Sequence, residues 1–223
     1  MSSNNQILTD FQALLLESQR NFSLMTLYKG VPVNTPAVLQ RIEGEIVWFK
    51  VRPPGLAFAQ PGSRLLVLSN GFLEPVDGQV VRWDHETANI GLSEFVFAGG
   101  KYASRHELRV EPQETFCITL MDGSKIHRVE GLDISLHGLG LRLNQEQCPP
   151  ELMPGKELSI EIEFPEQTLS LQGKILKTVK IEEGWRFSVE FTCSADEKSK
   201  ILHYIMHRRD EIFSELHQLH TQD

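Results

Sequence analysis

Leu158-Ser159-Ile160-Glu161-Ile162-Glu163-Phe164 alternates apolar and polar residues without a break. Successive side chains of a β-strand point to opposite faces, so this run buries Leu158, Ile160, Ile162 and Phe164 and wets the residues between. Trp185, Phe187, Val189 and Phe191 repeat the pattern one strand later. One dry face and one wet face are the mark of an antiparallel sheet or barrel, and Glu161 and Glu163 fall on the wet face. Just upstream, residues 115–121 and 125–132 flank Asp122-Gly123-Ser124, a hairpin turn signal.

Working towards the N-terminus, Ala98-Gly99-Gly100-Lys101 interrupts the strand pattern and reads as a hinge or interdomain linker. Residues 32–100 hold further short apolar runs, among them Ile46 and Trp48, Leu65 to Leu68, and Phe95 and Phe97. Breakers lie between them at Pro53-Pro54-Gly55, Pro61-Gly62, Ser69-Asn70-Gly71 and Asp77-Gly78. This spacing predicts a second small antiparallel barrel. A helix is expected over residues 9–20, with Ile7, Phe11, Leu14 and Leu15 at helical spacing and Thr9 with Gln12 as a capping box. At the other end, residues 195–219 carry an apolar stripe of Ile201, Tyr204, Ile205, Ile212, Leu216 and Leu219, predicting a terminal helix that caps a barrel or packs on a second subunit. No convincing internal repeat is visible.

The 223 residues carry a formal charge of −8, about −2 up to Gly100 and about −6 beyond it. Neither half offers the basic face that a nucleic-acid polymer or a DNA-binding regulator would require. Three cysteines, Cys117, Cys148 and Cys193, form no CxxC pair and read as reduced thiols. His203 and His207 lie four apart on the terminal helix without an evident third ligand, so a surface pair is expected rather than a metal site. The chain lacks a GxSxG elbow, a P-loop and an HExxH motif, so no catalytic residue is assigned. With no long apolar run and no basic leader, no direct membrane insertion and a cytoplasmic location are expected.

Two short motifs remain. Arg105-His106-Glu107-Leu108-Arg109 is an RxxxR directly after the glycine pair, and Asp133-Ile134-Ser135-Leu136-His137-Gly138 is a DxSxxG. Arginine offers a planar fork that grips phosphate oxygens or the O6/N7 edge of guanine, and it stacks on bases. Asp133 can accept from the N1 and N2 donors of guanine, which adenine lacks. Ser135 adds a short donor and acceptor, and Gly138 lets backbone or ligand approach closely. His137 lies inside the second motif at a variable position and reads as a spectator beside the ligand, and His106 and Glu107 read as solvated or packed linker residues.

Over residues 101–209 these motifs, their order, the strand pattern ending in Gly184-Trp185-Arg186-Phe187 and the terminal helix resemble the PilZ family. The resemblance implies a six-stranded barrel that binds cyclic di-GMP. It assigns guanine and phosphate contacts to Arg105 and Arg109 and a guanine contact to Asp133, Ser135 and Gly138. Lys101, Ser104 and Gly140 are secondary contacts on the same reading. The upstream half looks like the N-terminal barrel of the flagellar-brake (YcgR-like) branch. Ser104 stands where a further arginine is common, so one cyclic di-GMP per subunit is expected.

The expected architecture is all-β: an N-terminal barrel over 1–98, a hinge and ligand-binding linker over 99–109, and a C-terminal PilZ barrel with its helix over 103–223. Ligand is expected to order the linker and change the interdomain arrangement. Protein partners on this resemblance are flagellar motor components at the basal body, and the terminal helix allows a homodimer. Motility or a surface-associated output such as biofilm formation follows from the same likeness. The competing reading is a ligand-independent interaction module with the same fold.

Overall fold

The computed structural model describes residues 3–17, 21–51, 59–84, 86–99, 107–123, 125–165 and 167–219. Its contacts divide the chain into one unit of Met1–His106 with Phe213–Asp223 and another of Glu107–Ile212. Each contains a closed barrel of six antiparallel strands.

The first barrel uses β1 (Asn21–Tyr28), β2 (Val31–Glu43), β3 (Ile46–Val51), β4 (Arg64–Leu68), β5 (Val76–Asp84) and β6 (Asn89–Phe97), in the order β1-β2-β3-β6-β5-β4. Helix α1 (Ser3–Leu16) precedes it. Ile7, Leu8, Phe11 and Leu14 of α1 are buried in the same apolar cluster as Phe22, Leu39, Phe49 and Leu92. Phe11 is the hub: its ring centroid lies 4.9 Å from Phe72, 5.1 Å from Phe95, 5.8 Å from Phe49 and 5.9 Å from Phe22. Tilted and edge-on pairs at such distances add attraction beyond the buried area. The backbone N–H of Phe95 also donates to Asn4 Oδ1 at 2.8 Å, fixing the first turn of α1 on β6. On the outer face of β3, Arg41 stacks 4.6 Å over Trp48, whose indole N–H donates to Glu43 at 2.9 Å.

The second barrel uses β7 (Cys117–Asp122), β8 (Lys125–Ile134), β9 (Gly138–Leu143), β10 (Glu157–Phe164), β11 (Gln167–Ile181) and β12 (Gly184–Thr192), in the order β10-β11-β12-β9-β8-β7. The β7–β8 hairpin closes at Gly123, whose φ of 56° suits the turn, between the paired residues Asp122 and Lys125. Alternation decides the interior, as anticipated: Leu158, Ile160, Ile162, Phe164, Phe187, Val189 and Phe191 are buried. Trp185 is half-buried at the start of β12. Helix α2 (Ala195–Leu219) follows, with Ile201, Ile205, Ile212 and Leu216 buried and Tyr204 packed 4.9 Å from the Phe164 ring. The side chain of Leu219 lies outside the described residues.

The two barrels are wired alike. Each consists of two three-stranded meanders whose first strands pair (β1 with β4, β7 with β10) and whose third strands pair (β3 with β6, β9 with β12).

Several expectations need correction. The first helix begins at Ser3, so Thr9 sits inside it and its hydroxyl donates to the Asn5 carbonyl at 3.0 Å instead of capping the end. A capping box does exist, at α2: Ser194 Oγ accepts from the Glu197 N–H at 3.3 Å, and Glu197 accepts from the Ser194 N–H at 2.7 Å. That backbone hydrogen bond, with the one from the Ser194 hydroxyl, holds the Glu197 carboxyl below its ordinary range. Residues 21–28, unassigned from sequence, form β1. Asp77-Gly78 is no turn; it lies within β5 at a register shift, where a Cβ on Gly78 would meet the Phe95 ring at 2.7 Å. Pro53-Pro54-Gly55 and Gly100 fall outside the described residues.

Candidate functional site

The outer face of β8, β9 and β12 carries the DxSxxG residues. Asp133 stands at the end of β8, beyond a register shift between Gly131 and Asp133, and pairs with Gly140 of β9. Gly140 in turn pairs with Ser188 of β12, and Gly138 with Glu190. The inward residues of β9 are Leu139, Leu141 and Leu143, all buried. Gly138 and Gly140 therefore face outward with no side chain. They form a bare strip of backbone between Asp133 on one side and β12 on the other.

The strip is bounded by charge. A Cβ on Gly140 would meet Asp133 Cγ at 2.7 Å, so the carboxylate lies directly over this glycine. Arg109 Nη1 donates to Asp133 Oδ1 at 2.7 Å, and Arg186 Nη2 to Asp133 Oδ2 at 3.3 Å. Arg109 Nη2 lies 3.3 Å from where a Gly138 Cβ would be, so its guanidinium covers the other glycine. Asp133 is only 15% exposed while both arginines reach solvent, an arrangement that presents two guanidinium forks around one anchored carboxylate.

Ser135 is buried and donates to the Gly138 carbonyl at 3.3 Å, as does its own N–H at 2.9 Å. Its hydroxyl thus closes the turn that delivers Gly138 to β9. The turn is fixed from outside by the Phe191 N–H donating to the His137 carbonyl at 3.0 Å. The His137 ring bridges further: Nδ1 is hydrogen-bonded to the Glu107 carboxylate, and Nε2 lies 3.4 Å from Lys198 Nζ at the start of α2. Partial burial pushes the Glu107 carboxyl up, but the hydrogen bond from His137 and the His137 charge work against it, and the carboxyl is held below the ordinary range.

Of the five motif residues, Arg109, Asp133, Ser135 and Gly138 meet at one place, and Gly140 lies beside them. Lys101, Ser104 and Arg105 lie outside the described residues. Reading the sequence missed Arg186 and the Glu107–His137–Lys198 chain. Strand alternation held the signal for the first: Trp185 and Phe187 on the dry side place Arg186 on the wet one. Among the described residues no group of three or more His, Cys, Asp or Glu is placed to hold a metal ion, and no helix is long and apolar enough to cross a membrane.

This geometry agrees with comparison to known proteins, in which residues 103–207 match the family model of the PilZ domain. That match spans the six strands of the second barrel and the first half of α2. Beyond that domain, the whole chain resembles solved two-barrel structures. The K. pneumonia MrkH–c-di-GMP complex is 12% identical with a TM-score of 0.51, over 96% of this chain and 98% of that one. Escherichia coli YcgR in complex with c-di-GMP is 14% identical with a TM-score of 0.46, over 97% and 95%. The MrkH likeness is one of fold, an N-terminal barrel joined to a PilZ domain. No curated protein matches the chain.

Proposed function

We propose that this protein is a cyclic di-GMP receptor rather than an enzyme, with the ligand seated on the outer face of the PilZ barrel. The observation that carries the reading is the side-chain-free glycine strip of β9, over which the Asp133 carboxylate and the Arg109 guanidinium lie as groups that can turn to a ligand. A flat purine needs such a side-chain-free floor. A carboxylate at its edge suits the N1 and N2 donors of guanine, and two guanidinium groups suit phosphate and the guanine O6/N7 edge. Two guanidinium groups against one carboxylate leave a net positive charge, which favours an anionic ligand. The PilZ match and the c-di-GMP named for MrkH and YcgR support the same choice.

On this reading Arg109, Asp133, Ser135 and Gly138 act with Arg105, and Arg186 and Gly140 complete the wall and floor. Ser104, which adds no further charge, favours one ligand per subunit. The N-terminal barrel carries the output, and ligand changes the arrangement of the two barrels through residues 99–109. That output is control of motility or a related surface-associated behaviour through a protein partner in the cytoplasm. Small-angle scattering profiles that coincide with and without ligand would refute the rearrangement.

The test is calorimetric titration of the full chain with cyclic di-GMP and, separately, with cyclic di-AMP. Saturable binding of one cyclic di-GMP per subunit is expected, with no binding of cyclic di-AMP. Absence of binding to cyclic di-GMP would leave a ligand-independent interaction module.

A further inference from the structure

We infer that Arg208 of α2 is a positioning residue for the ligand site: it holds residues 107–111 so that Arg109 faces Asp133, and it ties ligand binding to the terminal helix. This rests on the cyclic di-GMP reading above.

Arg208 occupies a place on α2 where an apolar residue is expected. Its neighbours on the buried stripe are Ile201, Ile205 and Ile212, yet it is only 2% exposed itself. A guanidinium in such surroundings is strongly unfavourable unless its donors are engaged. Arg208 Nε donates to the carbonyl of Glu111 at 2.9 Å, and Nη1 to Glu211 Oε2 at 3.0 Å. Glu211 is its neighbour on the same helix. Glu111 is 97 residues away in sequence and two residues beyond Arg109.

Between them, Val110 is fully buried and forms a two-bond bridge with Ile134, its N–H donating at 3.0 Å and its carbonyl accepting at 3.1 Å. Ile134 directly follows Asp133. A continuous path of short contacts thus runs from α2 through Arg208, the Glu111 carbonyl, Val110 and Ile134 to the Arg109–Asp133 pair. Moving residues 107–111 away from β8 strips the Glu111 carbonyl from a buried charge. Arg208 therefore favours the position in which Arg109 is already over the glycine strip, and a ligand that pulls on Arg109 acts on α2 in turn. Coupling of this kind is reciprocal by linkage.

The experiment compares full-length wild type, Arg208→Met and Arg208→Lys by calorimetry with cyclic di-GMP and by hydrogen exchange with and without it. Without ligand, the Val110 and Ile134 amides are expected to exchange faster in Arg208→Met than in wild type. Cyclic di-GMP is expected to bind Arg208→Met about tenfold more weakly. Ligand should slow exchange at residues 204–212 in wild type, and this effect should vanish in Arg208→Met while protection of the β8–β9 turn persists at saturation. Arg208→Lys, which keeps the charge on a single nitrogen and loses the planar fork, should recover part of both effects. Wild-type affinity together with wild-type exchange at Val110 and Ile134 in folded Arg208→Met overturns the inference. Should Arg208→Met fail to fold, Arg208→Lys decides on the same readouts. A wild-type chain that ignores cyclic di-GMP sinks the receptor reading instead, and exchange at Val110 and Ile134 still judges the positioning role.

Discussion

Two barrels with the same wiring put opposite things on corresponding strands. The third strand of the first barrel, β3, carries Trp48 on its outer face, packed under Arg41 and hydrogen-bonded to Glu43. The third strand of the second barrel, β9, carries Gly138 and Gly140 there, with Asp133 and Arg109 lying over backbone that no side chain of β9 fills. In both, an arginine and an acid arrive from elsewhere to cover the strand. In the first they close on an indole and leave no floor, and in the second they frame one. The interiors differ too: the first barrel is filled by a phenylalanine cluster built around Phe11 of α1, whereas aliphatic strand residues dominate the second. Topology alone therefore does not make a receptor. Removing side chains from one outward strip does, on the reading proposed here.

That contrast can be broken in several ways. The largest effect is expected from Phe11→Ala, which removes the hub of the first core and should destabilise that barrel by about 3–5 kcal/mol. Thermal or denaturant unfolding measures the loss, and the affinity of the folded protein for cyclic di-GMP should stay put; an equal collapse in affinity would mean that the two interiors are not independent. Next comes Gly140→Val, which gives β9 the bulk that β3 has. The new side chain displaces the Asp133 carboxylate, so affinity should fall about 100-fold, roughly 2.7 kcal/mol, in a barrel that still folds. Near-normal titration of this variant would show that the strip is not the floor. Asp133→Ala and Arg109→Ala each remove a charge-assisted contact of about 1.5–3 kcal/mol and should cost at least tenfold in affinity. Arg186→Ala, which touches Asp133 at a longer distance and from a more exposed position, should cost less than either. The smallest effect is on pH dependence. Burial pushes the Tyr204 hydroxyl up to about 12, although the nearby Arg208 charge works against the rise. The folded value exceeds that of the unfolded chain, so the contribution of Tyr204 to stability is intact below pH 10 and fades as pH climbs towards about 12. An ultraviolet titration should find Tyr204 ionising only around that upper limit; a midpoint near 10 would show that the ring is wet.

Strict alternation made the second barrel legible, because buried and wet faces in β10 and β12 leave no helical reading. The same rule was available for β1, where Phe22 and Leu24 are buried, but intervening Met25 and Leu27 blur the period. Asp77-Gly78 misled because a turn dipeptide was present for another purpose: the glycine makes room for the Phe95 ring at a bulge. The capping signal misled in a similar way. Thr9 with Gln12 resembles a box inside a helix, whereas Ser194 with Glu197 forms one at a helix start. Motif spacing brought Arg109, Asp133, Ser135 and Gly138 to one place. Arg186 could be placed on the wet face by alternation but not beside Asp133, and Glu107 and His137 lie inside the motifs without their spacing showing that they pair; Arg208 joins through helix packing, which no local spacing reports.

The shared wiring has a consequence for how the chain must fold. Two successive domains with interchangeable strand orders can in principle trade halves, the first meander of one closing on the second meander of the other. Tandem proteins are prone to such misassembly while they are being made. Here the halves differ in their fill: Phe22 and Phe49 of the first meander pack on Phe11 of α1, whereas in the second barrel Phe187 and Phe191 share the interior with Ile160, Ile162 and Leu171. Exchange of halves would leave the rings that pack on Phe11 without that partner, a mismatch that disfavours the swapped pairing.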